Sequence, residues 1–149
     1  MTIESIALWH KRARPSPTES QFQVQLGCHL EEVVEQLETI KSHNNHTQSL
    51  IDLSVLSLTF LSRSLKANTA DVLVDDPVGF LDAAVDQIVT SVGVAHCANM
   101  DVLGAVKEVN TSNWSKYDED GMPLFDSFGK IRKGPNYVPP SLSSFVNQK

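Results

Sequence analysis

In the first third of the chain, hydrophobic residues recur every three or four positions among polar ones, which is the spacing of an α-helix. A short first helix is indicated by Ile3, Ile6 and Trp9, and the proline-containing stretch Arg14–Thr18 should end it. Apolar residues then recur every three or four positions, at Leu26, Leu30, Val33, Val34 and Leu37. This single stripe predicts a second helix from about Phe22 to Lys41.

Three more helices are predicted further along. The segment from about Thr47 to Lys66 is apolar around most of its circumference, so it should be central in the fold or buried between subunits. A fourth helix should begin with Asp76 as its N-cap and Pro77 at its first helical position, and should continue through Ala95 or beyond. A short fifth helix is expected from about Met100 to Val109.

The remaining segment, 110–149, is rich in Gly, Pro, Asn, Asp and Ser and has little periodicity. It keeps aromatic residues throughout, which favours a functional irregular arm. We therefore predict one all-α domain, a four to five helix bundle with a long irregular C-terminal arm. Residues 1–20 would form an N-terminal helix and turn, 21–109 the helical core and 110–149 the irregular arm.

Composition narrows the class of protein. The chain has 149 residues, 41% of them hydrophobic, and a net charge of -6, so a nucleic-acid partner is not expected. Cys28 and Cys97 have no metal-ligand spacing, no signal-peptide pattern begins the chain, and no apolar run approaches the roughly 18 residues of a membrane span. We expect a cytoplasmic protein with no membrane partner.

Two groups of acidic residues stand out within the predicted helices. The stretch HLEEVVEQLE places Glu31, Glu32 and Glu35 at neighbouring points of one helix surface. Asp82 and Asp86, also one turn apart, interrupt a strongly apolar segment where aspartate is unfavourable. If both helices direct these acids inward, four or five carboxylates would form a site for Mg²⁺ or Mn²⁺. The alternatives are a solvated acidic face and structural ion pairs with Lys or Arg.

These motifs resemble those of a known enzyme family. The pattern Glu31-Glu32-x-x-Glu35, a later acidic pair and a tail reading VNTSNWSKYDEDGMPLFDSFGKIRKGPNY look like the all-α nucleoside triphosphate pyrophosphatases. Those enzymes make up the MazG-like and phosphoribosyl-ATP pyrophosphohydrolase-like superfamily. The form that the motifs resemble is common in bacteriophages, and a phage-encoded member is expected in the host cytoplasm. The resemblance covers about residues 22–142. One departure is that the family's second motif is usually ExxD, whereas here Ala83 lies three positions before Asp86 and the acid is Asp82.

The resemblance implies a chemical activity and roles for the acids. Family members use Mg²⁺ or Mn²⁺ to cleave a nucleoside triphosphate between its α and β phosphates, giving a monophosphate and pyrophosphate. The implied catalytic residues are Glu31 and Glu32. The implied metal ligands are Glu32, Glu35, Asp82 and Asp86.

The tail offers groups of the opposite charge. Lys116, Lys130, Arg132 and Lys133 lie near Asn and Ser side chains in the sequence, a mixture suited to phosphate oxygens or simply to a solvated basic loop. Lys116, Lys133 and Asn113 match family positions, which ranks them first. The predicted phosphate-binding set is Asn113, Ser115, Lys116, Lys130, Lys133 and Tyr137. Removing everything after Asn110 is expected to leave a folded but weakly active bundle.

Recognition of the base is less strongly indicated. Gln25 and His29 precede Glu32 on the same helix face, and either can reach a nucleobase bound beside the metal. Candidates for stacking are Trp9, His10, Trp114 and Tyr137. The phage members of the family include MazZ-like enzymes that convert dGTP to dGMP for 2-aminoadenine synthesis. The resemblance therefore implies dGTP as the substrate that we expect first.

Two other classes stay open: a pyrophosphohydrolase for dUTP, dCTP or phosphoribosyl-ATP, and a non-catalytic helical interaction protein. The strongly apolar third helix predicts a homo-oligomer, either a dimer or a tetramer.

Overall fold

The computed structural model describes residues 2–127 and 129–146; the last three residues of the predicted arm lie outside the described residues. The helices are α1 (Thr2–Ala13), α2 (Glu19–Glu38), α3 (Asn45–Lys66), α4 (Pro77–Cys97) and α5 (Val102–Trp114), followed by a short 3₁₀ helix, η1 (Ser143–Phe145). No strand occurs among the described residues. The prediction of an all-α fold with four to five helices is confirmed.

The helix starts follow from local capping chemistry. Thr18 and Gln21 form a reciprocal capping box at the start of α2, and Asn44 caps α3 through the backbone N–H of Thr47. Asp76 caps α4 as predicted, and Pro77 occupies its first turn. These side chains satisfy backbone donors that have no partner inside the helix, which fixes where each helix begins.

The fifth helix is longer than predicted and continues to Trp114. Asn and Ser favour helix ends in isolation, so the sequence suggested an earlier stop. In the structure, Asn110 donates to Ser5 Oγ at 2.9 Å and Ser112 donates to the carbonyl of Val138 at 2.7 Å. These tertiary partners hold the extra helical turn.

The chain divides into two compact units. One, which we call the hairpin unit, comprises Ser16–Val72 and Phe125–Lys130, and the other, the aromatic unit, comprises Met1–Pro15, Leu73–Leu124 and Ile131–Lys149. This division cuts across the predicted segments 1–20, 21–109 and 110–149. Whether the two units act as the single predicted domain stays a prediction.

In the hairpin unit, α2 and α3 pack as an antiparallel pair. The two helices come close at Gly27, where an added Cβ would lie 2.8 Å from Lys66 Cγ and 2.9 Å from the carbonyl oxygen of Ser62. Ser62 Oγ uses this approach to donate to the carbonyl of Gly27 at 2.8 Å, and Leu65 and Val24 are almost fully buried beside it. Only glycine permits this spacing.

In the aromatic unit, α1 packs on α5 around two aromatic rings. Trp9 and Tyr117 are 8% and 4% exposed and stack with centroids 5.7 Å apart. The Trp9 indole N–H donates to the carbonyl of Asn113 at 2.9 Å, and Tyr117 donates to the carbonyl of Trp9 at 2.6 Å. The polar end of each ring is therefore satisfied inside the core.

Helix α4, also in the aromatic unit, has no buried residue. Among the described helices it alone is long and apolar enough to cross a membrane by length and composition, with a mean hydropathy of 1.4 over 18 residues. Asp82 and Asp86 interrupt the apolar residues of this helix, so the sequence contains no uninterrupted apolar run of that length although the mean hydropathy of the helix is high. Two charged side chains in a bilayer interior are costly, so a protein partner is the simpler cover for this surface.

Candidate phosphate and metal site

The centre of the hairpin unit's polar surface is an ion-pair network around Glu31. Lys66 Nζ donates to Glu31 Oε1 at 2.6 Å, and Lys130 Nζ donates to Glu31 Oε2 at 2.8 Å. The three side chains are 30%, 23% and 47% exposed for Glu31, Lys66 and Lys130. One carboxylate thus holds two cations, one from α3 and one from the arm.

Local structure explains why both lysines reach Glu31. The Gly27 contact brings the stem of Lys66 onto α2, one helical turn before Glu31. Lys130 is presented by a tight turn in which its N–H donates to Asp126 Oδ1 and the N–H of Asp126 donates to its carbonyl, both at 2.9 Å. The network is therefore built on backbone geometry and not on side-chain reach alone.

The network shifts the protonation of its members. Partial desolvation raises the pKa of Glu31, but hydrogen bonds and charge from Lys130 and Lys66 outweigh it, so its pKa is lowered. The hydrogen bond to Glu31 raises the pKa of Lys130 against desolvation, with further support from the charges of Glu31, Cys28 and Glu32. A carboxylate held ionised by two lysines is a poor base, which argues against Glu31 as the residue that activates water.

The other predicted residues on α2 lie on its solvent face. Gln25, His29, Glu32 and Glu35 are all exposed. Glu32 and Glu35 lie one helical turn apart, and Glu32 is close enough to Lys130 for its charge to act on that ammonium group. Two neighbouring carboxylates suit Mg²⁺, which commonly takes one or two protein carboxylates together with water and substrate phosphates. The donor set therefore fits the predicted metal.

Asp82 and Asp86 lie on α4 in the aromatic unit, and both are exposed. Across the described residues, no three His, Cys, Asp or Glu side chains come together as a ready-made metal site. The predicted four-carboxylate site is divided between two units, so its completion stays a prediction.

Two predicted phosphate ligands have structural partners in the aromatic unit. Ser115 Oγ donates to the carbonyl of Ser112 at 2.7 Å and accepts from the N–H of Val138 at 2.8 Å. The carbonyl of Asn113 accepts from Trp9. Ser115 therefore holds the arm against α5. Its hydroxyl, which is predicted to bind phosphate, is used in these two hydrogen bonds.

The matching lysines of the arm rest on aromatic rings. Lys116 Nζ lies 5.9 Å from the centroid of the Trp9 ring, and Lys133 Nζ lies 4.8 Å from that of Tyr137. A cation over a ring face is attracted by the ring's quadrupole and keeps most of its positive charge. Both lysines are thus oriented by their own unit.

The aromatic candidates for base stacking differ in accessibility. Trp9 is part of the core, with His10 edge-on at 4.8 Å and Tyr117 stacked on it, which leaves little of its ring for a base. Burial, followed by the charge of Arg14, lowers the pKa of His10. Trp114 packs against the same core and donates to Ser5 Oγ at 3.0 Å. All three side chains take part in packing, and base stacking by them stays a prediction.

Sequence reasoning missed two cations of the hairpin unit. Arg63 and Lys66, in the last turn of α3, line a pocket of about 270 Å³ together with Lys130, Asp126, Val24 and Ala67. In the sequence they look like residues that offset the helix dipole. Only the packing of α3 on α2 brings them beside a residue of the arm.

Searches against family models, curated proteins and solved structures found no match to this chain. The resemblance to the all-α nucleoside triphosphate pyrophosphatases therefore stays a prediction.

Proposed function

We propose that the protein is a divalent-metal-dependent nucleoside triphosphate pyrophosphohydrolase. The observation that carries the proposal is the contact of Lys130, a residue of the arm, with α2. Its ammonium group forms an ion pair with Glu31 and lies near the negative charge of Glu32. Carboxylates suited to a metal and cations suited to phosphate are thereby neighbours within one unit. A metal–triphosphate complex needs both kinds of group.

The residues divide the work as follows. Glu32 and Glu35 would hold Mg²⁺ or Mn²⁺, and the ion would supply charge neutralisation and an activated water. The assignment of Asp82 and Asp86 as metal ligands stays a prediction from the sequence. Glu31 would act as a positioning residue, because its two ion pairs fix Lys66 and Lys130. Lys130, Lys116 and Lys133 would bind phosphate oxygens. The products would be a nucleoside monophosphate and pyrophosphate.

The preferred substrate is dGTP, with conversion to dGMP, on the resemblance to phage members of the family. Gln25 and His29 support it only in that both are exposed on α2, about two turns and one turn before Glu32 respectively. Other nucleotides, including dUTP, dCTP and phosphoribosyl-ATP, are the alternative substrates.

Pyrophosphate release from a panel of ribo- and deoxynucleoside triphosphates tests the proposal. We expect release with Mg²⁺ or Mn²⁺ and none with a chelator, and a preference for dGTP. Glu38→Gln is a matched control, since Glu38 is an exposed acid of α2 that forms no ion pair with the described residues. No release from any nucleotide with either ion would contradict the proposal.

The second candidate is a non-catalytic interaction protein. It is favoured by the exposed apolar surface of α4, where Leu81 and Val89 are 65% and 63% exposed. Large exposed apolar patches mark interaction sites. This candidate predicts normal folding and self-association or partner binding, with no pyrophosphate release and no stabilisation by divalent ions.

A further inference from the structure

We propose that the pocket formed by Arg63, Lys66 and Lys130 is a binding site for a phosphate-class anion, specifically inorganic pyrophosphate or the terminal phosphates of a polyphosphate chain. The proposal adds Arg63 and Lys66 to the phosphate-binding residues. As a site for the leaving group it rests on the proposed function, whereas the binding of pyrophosphate itself can be measured without any hydrolysis.

The charge balance of the pocket favours an anion. Lys66 and Lys130 share the single carboxylate of Glu31, so that group of three carries a net positive charge. Arg63 adds another and has no ion-pair partner among the described residues. Asp126, which also lines the pocket, offsets one of them. The residues that line the pocket, taken together with Glu31, therefore keep one positive charge, and the exposed carboxylate of Glu32 acts on Lys130 from outside that lining.

The geometry suits tetrahedral oxyanions. Arg63 offers a planar set of N–H donors, while the two lysines provide ammonium groups whose donors rotate to meet oxygens in several directions. The lining also includes two apolar residues, the buried Val24, which is 2% exposed, and Ala67. Hydrogen bonds from these three cations to an anion would be charge-assisted, which makes them stronger than bonds between neutral groups.

Size selects the part of a nucleotide that fits. At about 270 Å³ the pocket lies below the roughly 300 to 1,000 Å³ typical of sites for whole drug-sized ligands. A phosphate chain is small enough, whereas a complete nucleotide would extend outside. Since Lys130 also lies within range of Glu32, an anion in the pocket would be next to the carboxylates proposed to hold the metal.

The test is pyrophosphate binding by calorimetry on the full chain, with a chelator present so that no metal bridges the anion to Glu32 or Glu35. We expect Arg63→Gln to weaken binding about threefold to tenfold and Lys66→Met about tenfold or more. Lys107→Gln, which removes an exposed cation of α5 in the aromatic unit, controls for net charge and should change binding less than twofold. Sulfate at equal concentration should bind more weakly than pyrophosphate, since it carries less charge.

Two readouts separate this inference from the proposed function. Glu35→Gln should keep metal-free pyrophosphate binding even though it loses turnover. If the wild type binds pyrophosphate but hydrolyses none of the nucleotides, the pocket is supported and the proposed enzymatic function is contradicted. Equal pyrophosphate affinity in wild type, Arg63→Gln and Lys66→Met would overturn the pocket, whatever the hydrolysis assay gives. Arg63 is exposed, so its variant keeps the test decisive if Lys66→Met fails to fold.

Discussion

Lys130 is 99 positions from Glu31 in the chain, yet its ammonium group donates to the Glu31 carboxylate at 2.8 Å. This contact ties residues 125–130 of the arm to α2 within the hairpin unit. It also supports the proposed role of Glu31 as a group that positions cations.

The first prediction concerns the close contact at Gly27. Gly27→Ala should lower the free energy of unfolding by about 1 to 3 kcal/mol, because the added Cβ meets the Ser62 carbonyl oxygen and Lys66 and forces the helices apart. Urea unfolding measures the change. Gly93→Ala is the control: nothing lies within 4 Å of its added Cβ, so helix propensity alone should raise stability by about 0.5 to 1 kcal/mol. Equal effects at the two glycines would contradict the packing at Gly27.

The second prediction concerns pH. The pKa of Glu31 is lowered by folding from its ordinary value of 4.5, so its ionised form stabilises the folded chain above about pH 4.5, and that contribution is lost as pH falls through the folded-state pKa. At pH 7 the free energy of unfolding of the wild type should be higher than that of Glu31→Gln by about 1 kcal/mol or less, since the ion pairs are partly exposed. The difference should shrink in acid and in high salt. A difference that stays constant from pH 7 to pH 3 would rule out the ion pairs as its source.

The third prediction concerns the metal. Glu35→Gln and Asp86→Asn should each lower turnover by about a hundredfold or more while helix content by circular dichroism is unchanged, because both side chains are exposed and no packing is lost. Stability should be equal or slightly higher, since like charges on α2 and α4 are removed. Near-wild-type rates in both variants would exclude these residues from the site.

The fourth prediction concerns the arm. Lys116→Ala and Lys133→Ala should each lower kcat/KM by about tenfold to a hundredfold, since a charge-assisted contact contributes roughly 1.5 to 3 kcal/mol. Binding of the monophosphate product should change far less, because it lacks the β and γ phosphates. Lys107→Ala is the matched control. If all three variants behave alike, the effect is one of net charge.

The structure revises one expectation about the same segment. Removal of everything after Asn110 deletes Trp114 and Tyr117, which pack with Trp9 in the core of the aromatic unit. We therefore expect the truncated chain to lose the packing of α1 on α5, not merely activity. Trp9 is the one tryptophan left in the truncated chain, so its fluorescence should shift to the red as the ring becomes exposed to water. An emission maximum equal to that of the full-length Trp114→Phe variant, which also has Trp9 as its one tryptophan, would show this expectation to be wrong.

The fifth prediction concerns assembly. Leu53 and Phe60 on α3 are 59% and 60% exposed, which is unusual for so apolar a helix and favours a dimer or tetramer. Light scattering at micromolar concentration should give at least twice the chain mass. Phe60→Lys should shift it toward the monomer, while Ser54→Lys, at an exposed position about 120° around α3 from Phe60, should do so less. A monomeric wild type would contradict the proposed oligomer and leave a different partner, or a membrane, for α4.

Much of the helical fold was predictable because its signals are local. The apolar stripe of α2, the Asp76 cap and the Pro77 start of α4 each act within a turn or two of helix, so the sequence contains their full physical cause. The position of Glu32 and Glu35 on one helix face was predictable for the same reason. Helix periodicity fixes which side chains are neighbours along one element.

The tertiary structure decided which elements share a surface. No local signal indicated that Gly27 would let Lys66 approach Glu31, that residues 125–130 would join the α2–α3 pair, or that Trp9 would be buried by Tyr117. These contacts depend on packing between residues far apart in the chain, whose energy is gained only once the helices are assembled. The sequence therefore determined the helices and their charged faces, while packing determined that Glu31 binds two lysines and that Arg63 lines a pocket beside them.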